Sequence, residues 1–490
     1  MSTEKLNLFN FNDKKISTLH WSWLAFFITF FMWFSHSSLM PLIVQTFGLS
    51  PAEAKALLFL NVALTIPSRT IVGMLVDKFG PRLMFSVLLV ISGILCIAFS
   101  MSQTYEQLAA FRFLLGFAGA GFVIGIRLIT EWFPAKQAGT AQGIYGGWGN
   151  FGAAAAGFLL PAMAAYVGGD EGWRGAAGSA GVVSIMYAVI FYMFVRNTPK
   201  GATYFSPKKL GPMEVTTKGD FVLYLIMCVP MFLAMGVIAW RLSPAGVGLL
   251  SDTVTQGIWV GLAAWYIYQV VQIFNVNKDN LKKGVPELHQ YKFKQVALLN
   301  LAYMVTFGSE VAVVSMLPLY FIDTFAVSVA MAAAMASTFM AMNLIARPGG
   351  GYISDKVGRK KSLLITVLGS VIGYAGMSMI EADWSMVMTM VVVVFCSFFV
   401  QAGAGATFGV VPTIKRRLTG QIAGLTGAYG NVGAASFLLI YSLTDATTFF
   451  TVIGVSCLVV FGLIVAFLEE PKGQIAEILP DGSVELIDVS

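Results

Sequence analysis

The sequence predicts an all-α polytopic membrane protein of two six-helix halves plus an inserted pair of helices, about 14 transmembrane helices in all. Three observations carry this. Of the 490 residues, 57% are hydrophobic and only 11% are charged, against roughly 25% charged in an average soluble domain. Apolar runs of roughly 20 residues, each long enough to cross a bilayer as a helix, recur almost without pause from Trp21 to Leu468. Finally, one arginine set in an apolar run, Arg69 in NVALTIPSRTIVGMLVDKFGPR, has an echo in MNLIARPGGGYISDKVGRKK, where Arg347 stands as far before Asp355 as Arg69 stands before Asp77.

Taken in order, a polar N-terminal tail (residues 1–20, with Lys5, Lys14 and Lys15) leads into a first run with no small-residue cleavage site after it, so that run reads as a retained helix. The first half, 21–196, divides into runs at about 21–46, 56–76, 83–101, 107–129, 138–165 and 175–195. A linker region, 197–295, holds two further runs at about 220–240 and 247–274 between polar stretches. This pair contains Pro230 and Gly236 and few polar residues suited to a pathway, so it reads as peripheral packing or an oligomer contact. The second half, 296–468, divides at about 296–322, 329–354, 362–380, 385–410, 420–443 and 447–468, and a tail of 469–490 follows.

Orientation tests the count, because each crossing must flip the side on which Lys and Arg collect. With the N-terminus inside, the cytoplasmic segments gather Lys78 and Arg82, Lys136, Arg196 to Lys218, Lys278 to Lys294, Lys356 to Lys361, and Lys415 to Arg417, while the outer loops hold only Lys55, Arg174 and Arg241. Both termini are therefore expected in the cytoplasm. The net charge of +6 belongs to membrane orientation and implies no nucleic-acid partner. Cys96, Cys228, Cys396 and Cys457 sit singly in apolar runs and read as packing residues, with neither metal spacing nor a pairing pattern.

The halves repeat each other, as parallel repeats about an axis along the membrane normal do. Two such halves enclose a central cavity. Asn61, Thr65, Arg69 and Gly73 fall at steps of four on one helix face, and Asn343 and Arg347 do the same in the second half. A cation at the bilayer centre costs roughly 2.5–3.5 kcal/mol on insertion scales, so it faces a cavity or a partner. Acids are scarce there: Glu131 stands four residues after Arg127 and can satisfy it, which leaves Glu310 as the acid for the central region. Surplus positive charge calls for an anion, and a guanidinium fork suits a flat oxyanion. Each Asp77-type loop places a carboxylate where it can meet the start of the next helix. The glycine-rich fifth helices, GGWGNFG (Gly146, Gly147, Gly149, Gly152) and GAYGNVG (Gly427, Gly430, Gly433), let helices approach closely and set Asn150 and Asn431 at matching points, as pathway amides or as interhelical glue.

The loops after Gly73 and Gly351 resemble the cytoplasmic loop signature of the major facilitator superfamily. GAGFVIGIRLITEWFP (Gly119 to Pro134), GIYGGWGNFG, ARPGGGYISDK (Ala346 to Lys356) and QIAGLTGAYGNVGA (Gln421 to Ala434) resemble the signatures of its nitrate/nitrite porter family, most nearly the bacterial nitrate uptake permeases. The resemblance implies a major facilitator fold in the cytoplasmic (inner) membrane, and a secondary transporter importing nitrate or a similar small planar anion. It implies that Arg69 and Arg347 bind substrate, that Asn150 and Asn431 lie in the two nitrate signatures, and that Phe122, Tyr303 and Phe307 wall the site. The inserted pair and Glu310, in FGSE, depart from the family pattern of twelve helices and an apolar residue at that point. Glu310 reads either as a proton-coupling group or as a fixed partner of one arginine.

The partners implied are the anion, protons or an exchanged anion, and the lipid bilayer. No cofactor and no metal is expected: no ATP-binding motif is visible, and His20, His36 and His289 are isolated, which also argues against an enzyme. The alternatives are nitrate/nitrite exchange and a carrier of formate or oxalate. A receptor is disfavoured by the short loops.

Overall fold

The computed structural model describes residues 6–169, 171–207, 211–478 and 484–488. The first crossing joins α1 (Lys14–Trp33) to α2 (Ser35–Phe47), and the second joins α3 (Pro51–Ala63) to α4 (Thr65–Phe79). Then come α5 (Pro81–Ser100), α6 (Tyr105–Leu115) running through a 3-10 turn at Gly116–Ala120 into α7 (Gly121–Trp132), α8 (Ala135–Val167) and α9 (Gly172–Phe194). The inserted pair is α10 (Lys218–Leu242) and α11 (Asp252–Lys283). The second half repeats the order. α12 (Phe293–Tyr303) passes through a π-helical turn, Met304–Gly308, into α13 (Ser309–Phe325), and α14 (Val329–Ala341) leads to α15 (Asn343–Val357). Last are α16 (Arg359–Ser378), α17 (Met386–Val410), α18 (Thr419–Leu443) and α19 (Ala446–Phe467).

Among the described residues, 12 helical columns are long and apolar enough to cross a membrane. The columns α3–α4 and α14–α15, each broken by one residue, carry the two central arginines; with these two the helical columns number fourteen. Three boundaries differ from the sequence expectation. α1 starts inside the supposed tail, because Asp13 caps it by accepting from the Lys15 N–H at 2.8 Å. α11 runs past 274 to Lys283, anchored where the buried Asn277 accepts from the Val215 N–H at 2.6 Å and donates to the Met213 carbonyl at 3.1 Å. The C-terminal segment is no plain tail: β1 (Gln474–Ile478) pairs antiparallel with β2 (Val484–Asp488), so a hairpin is appended to the otherwise helical fold. Lys208 and Lys209 lie outside the described residues, as do the side chains of Lys55 and Asn61.

The halves meet through glycine. α4 lies along α18 and α15 along α8, each the second helix of one half against the fifth of the other. A Cβ at Gly73 would stand 2.4 Å from the Gly420 carbonyl oxygen, and one at Gly351 would stand 2.0 Å from that of Gly139. Only glycine permits this approach. At Gly143 a Cβ would meet the Arg347 carbonyl oxygen at 2.6 Å, whereas at Gly157 nothing lies within 4 Å. Gly143→Ala is therefore expected to cost about 1–3 kcal/mol by overpacking and to stop transport. Gly157→Ala should be neutral or slightly stabilising. Thermal unfolding of the two purified variants checks the contrast.

Each half turns sharply after its second helix, at Gly80 (φ +85°) and Gly358 (φ +113°), where L side chains are strained. The helices that follow are capped from the end of the same half: Asn197 accepts from the Arg82 N–H at 2.8 Å, and Glu470 accepts from the Arg359 and Lys360 N–H groups at 2.5 and 2.8 Å. Beside it, Glu469 bridges Lys292 and Lys294, and these hydrogen-bonded ammonium groups hold its carboxyl below the usual range.

The inserted pair sits at the side. α10 packs on α12 and α18, where the Tyr429 hydroxyl donates to the Met227 carbonyl at 2.7 Å, while most of α11 is exposed, with Val260, Ile267 and Tyr268 turned outward.

A candidate anion site between the two halves

Two aspartates close the bundle at the end where the N-terminal tail lies. Asp77 accepts from the N–H groups of Gly420 and Gln421 at 2.9 and 2.8 Å, and Asp355 accepts from those of Gly139 and Thr140 at 2.9 and 2.6 Å. Each carboxylate thus meets a positive helix start, but of the fifth helix in the opposite half and not of the next helix in its own, as the sequence suggested. The expected Arg127–Glu131 pair is present at 2.9 Å, and Arg127 also meets Asp77 at 3.1 Å. Arg127 donates further to the Arg416 carbonyl and so ties the halves together.

Deeper in, the two central arginines face one ring. The Arg69 and Arg347 guanidinium carbons lie 5.2 and 5.4 Å from the Phe307 ring centre, within cation–π reach. Arg69 is also 5.6 Å from the Phe122 ring. Phe307 stacks on Tyr303 at 4.9 Å, and Tyr303 is parallel to Phe122 at 6.0 Å. The π-helical turn aims Phe307 here, an irregularity often found at functional sites.

The arginines differ in their partners. Arg69 donates from Nε to the Gly119 carbonyl at 3.0 Å and from Nη1 to the Gly427 carbonyl at 2.7 Å, and its Nη2 is buried with no partner. It has no acid among the described residues. Arg347 pairs with Glu310 at 3.2 Å, and Glu310 also accepts from Asn343 Nδ2 at 2.6 Å, while Arg347 Nε is left unpaired. With two arginines and one carboxylate, the centre carries an excess of one positive charge.

The glycines of both signatures make room for these groups. A Cβ at Gly146 would stand 3.2 Å from Arg347 Cδ, and one at Gly427 would stand 3.2 Å from Arg69 Cδ. Gly147 lies against the Asn343 carbonyl, Gly149 against the Phe26 ring, and Gly430 against Phe307 and Tyr303. Gly152 and Gly433 take up the backbones of Phe27 and Met304. Asn431 donates to the Gly427 carbonyl at 3.2 Å, the same oxygen that Arg69 engages, and leaves its Oδ1 free. Asn150, both of whose amide atoms are buried and unpaired, lines a cavity of about 40 Å³ with Phe30, Phe34, Phe307, Glu310 and Asn343. That space suits a ligand of a few atoms, and it lies on the side of the arginines away from the tail.

The structure brings all of the predicted polar and aromatic residues to this one region. Three others join them. Asn343 was visible on the arginine face of its helix and now proves to hold Glu310. Phe408 crosses Phe122 edge-on at 4.6 Å, and its only signal was the GAGAT run before it, a loose counterpart of the GAG before Phe122. Tyr145 stacks on Phe26 at 5.1 Å and donates to the Gly121 carbonyl at 2.8 Å. Nothing in the sequence distinguished it from a core tyrosine.

The profile of the Major Facilitator Superfamily matches residues 22–438 and 299–485. The nitrate/nitrite transporter NrtP of Picosynechococcus sp. is 42% identical over 523 aligned positions, covering 98% of this chain and 97% of that protein. The chain belongs to the nitrate/nitrite porter family of the major facilitator superfamily. NrtP of Nostoc punctiforme is likewise 42% identical, over 96% of this chain and 95% of its own length, and the high-affinity nitrate transporter 2.3 of Oryza sativa subsp. japonica is 26% identical over 87% and 72%. So much of the chain aligns with NrtP that the inserted pair falls within the match. Among solved structures, the proton:xylose symporter XylE has a TM-score of 0.63 at 15% identity, covering 94% of this chain and 97% of that one. The E. coli fucose:proton symporter FucP has 0.60 at 12%, over 92% and 99%. These two establish the fold of this porter, a multi-pass membrane protein and not an enzyme.

Proposed function

We propose that the protein is a secondary transporter that carries nitrate, and with it nitrite, across the cytoplasmic membrane into the cell, with both termini in the cytoplasm. The observation that carries this reading is a pair of planar guanidinium groups held against one aromatic ring, with more positive charge than the one nearby carboxylate can cancel, a setting for a small planar anion. The names of the relatives support nitrate as that anion. Arg69 and Arg347 clamp it, Asn150 and Asn431 offer amides from the glycine-lined helices, and Phe122, Tyr303 and Phe307 exclude water. Transport follows by rocking the halves about the site. With the tail side taken as cytoplasmic, the Asp77 and Asp355 contacts close the inner face.

Glu310 supplies the coupling. As a carboxylate it occupies Arg347 and competes with the anion; a proton on it dissolves the ion pair and frees the guanidinium for substrate. Anion and proton thus enter together. The test is uptake by proteoliposomes with and without an inward proton gradient, with formate and oxalate as competitors. Nitrate uptake is expected to follow the gradient and to resist both competitors. Glu310→Gln should still exchange nitrate across the membrane but should lose dependence on the gradient; gradient-driven uptake that survives this change rules out the coupling role.

The inner closure gives a further expectation. Asp77→Asn keeps one acceptor for the α18 start but loses the pair with Arg127, so the population should shift toward the inward-open state. Faster labelling of a cysteine introduced on the inner face of α18 would report the shift, and unchanged labelling would count against the lock.

A further inference from the structure

The inserted pair rests chiefly on α12 and α18 of the second half. Between α10 and α11 on one side and α3, α4 and α6 on the other lies a cavity of about 600 Å³, at the depth of membrane-spanning helices. Its walls are apolar, from Leu64 and Phe113 across to Ile238 and Leu262. The exceptions are Ser68, whose hydroxyl donates to the Thr65 carbonyl at 3.2 Å, Glu106, which is exposed, and the Trp265 indole. Protein interiors hold few voids larger than a water molecule, and a buried water needs two to four polar partners. This chamber offers neither close packing nor such partners, so hydrocarbon is what fills it.

A second chamber, of about 340 Å³, continues the first toward the tail side, and Ile71 and Trp265 line both. Polar groups gather here: Thr70 of α4, Gln269 and Gln272 of α11, and Gln421 at the start of α18. Gln421 is only 5% exposed; its Nε2 donates to the Gly211 carbonyl at 3.4 Å, and its Oε1 is buried with no partner. Gln269 spends its Nε2 on the weakly accepting Cys228 sulfur at 3.4 Å. Among the described residues no charged side chain lines this chamber. An amide both donates and accepts, which suits hydroxyls better than a phosphate or an ammonium, and Trp265 and Tyr268 add flat aromatic faces. An apolar depth with an uncharged polar mouth matches an amphiphile with a sugar head.

We propose that this groove holds one membrane glycolipid, with an acyl chain in the apolar chamber and an uncharged sugar in the polar one, where a sugar hydroxyl donates to Gln421 Oε1. The bilayer is the solvent at this depth, so the occupant comes from it. Binding is independent of which anion the central site carries, yet it touches the moving parts. Thr70 and Met74 belong to one half and Gln421 and Leu425 to the other, so the sugar lies across the seam where Asp77 accepts from the Gln421 N–H at 2.8 Å. A bound lipid therefore braces that seam in its closed form.

The experiment uses the full chain, stripped of co-purified lipid, in a detergent without sugar. Glucosyl diacylglycerol should raise the unfolding temperature saturably by several degrees, and phosphatidylglycerol with the same acyl chains should not. Gln421→Leu keeps the volume and removes the acceptor, and should erase the preference for the sugar. Ala110→Trp places a ring in the apolar chamber from an exposed position of α6 and should abolish the lipid effect altogether. Native mass spectrometry counts bound lipid without requiring any variant to fold: the unaltered chain should retain one glucosyl diacylglycerol. Equal stabilisation by the two lipids, retention of the glycolipid in Ala110→Trp, or a dimer of the unaltered chain with no lipid bound overturns the proposal.

Discussion

Arg69→Ala protein is expected to fold and insert normally and to lose nitrate binding and uptake. Folding is spared because Arg69 has no acid partner among the described residues, so its removal strands no charge. The loss leaves the Gly119 carbonyl short of one donor, while the Gly427 carbonyl keeps Asn431. A missing hydrogen bond of this kind costs about 1–3 kcal/mol, and the relieved burial of an unneutralised guanidinium offsets it. Binding has no such compensation. Truncating one partner of a buried, charge-assisted contact costs roughly 2–5 kcal/mol, which is about 30-fold to several thousand-fold in affinity. Arg69→Lys should recover little, because an ammonium supplies charge without the planar fork. Calorimetric titration of the purified protein with nitrate, beside uptake in proteoliposomes, checks this. An affinity within a few-fold of wild type would remove Arg69 from the clamp.

How much of this was legible in the sequence depends on whether the repeat carried it. The arginines, the asparagines and the signature glycines recur in both halves, and recurrence separates them from an apolar background that otherwise looks uniform. The glycine pattern even marked the seam, although it could not say that α4 lies against α18 and α15 against α8. That pairing is a contact between residues hundreds of positions apart, and so are the bonds from Asp77 to Gly420 and Gln421. The least legible features are those in which the halves differ. The backbones of Phe27 and Met304 occupy matching places against Gly152 and Gly433, which sets Glu310 opposite Trp33, and the register of Arg69 with Arg347 sets Asn343 opposite Thr65. Thr65 donates to the Gly116 carbonyl at 2.8 Å where Asn343 donates to Glu310. One arginine therefore rests on backbone and the other on a carboxylate. The sequence showed Glu310 as a lone acid without showing which arginine it serves. The π-helical turn that carries Phe307 left no sequence signal, since its residues would suit an ordinary helix equally well.

That asymmetry separates the two arginines experimentally. Arg347→Ala is expected to damage folding as well as transport, because it leaves the Glu310 carboxylate buried with only Asn343 for company. Removing one member of a buried ion pair costs about 3–5 kcal/mol, a large share of the margin that keeps a protein folded. The remedy follows from the same physics. Adding Glu310→Gln to Arg347→Ala removes the orphan charge and keeps a side chain that can still accept from Asn343, so stability should return. Transport should not, because half of the clamp is gone. Yield and unfolding temperature in detergent, measured for wild type, Arg347→Ala, Glu310→Gln and the double variant, form a cycle whose coupling term isolates the pair. A large coupling in stability with no recovery of uptake is the expected pattern. If Arg347→Ala is as stable as Arg69→Ala, the Glu310 contact is not an ion pair in the working protein, and the competition between carboxylate and anion on which coupling rests does not exist.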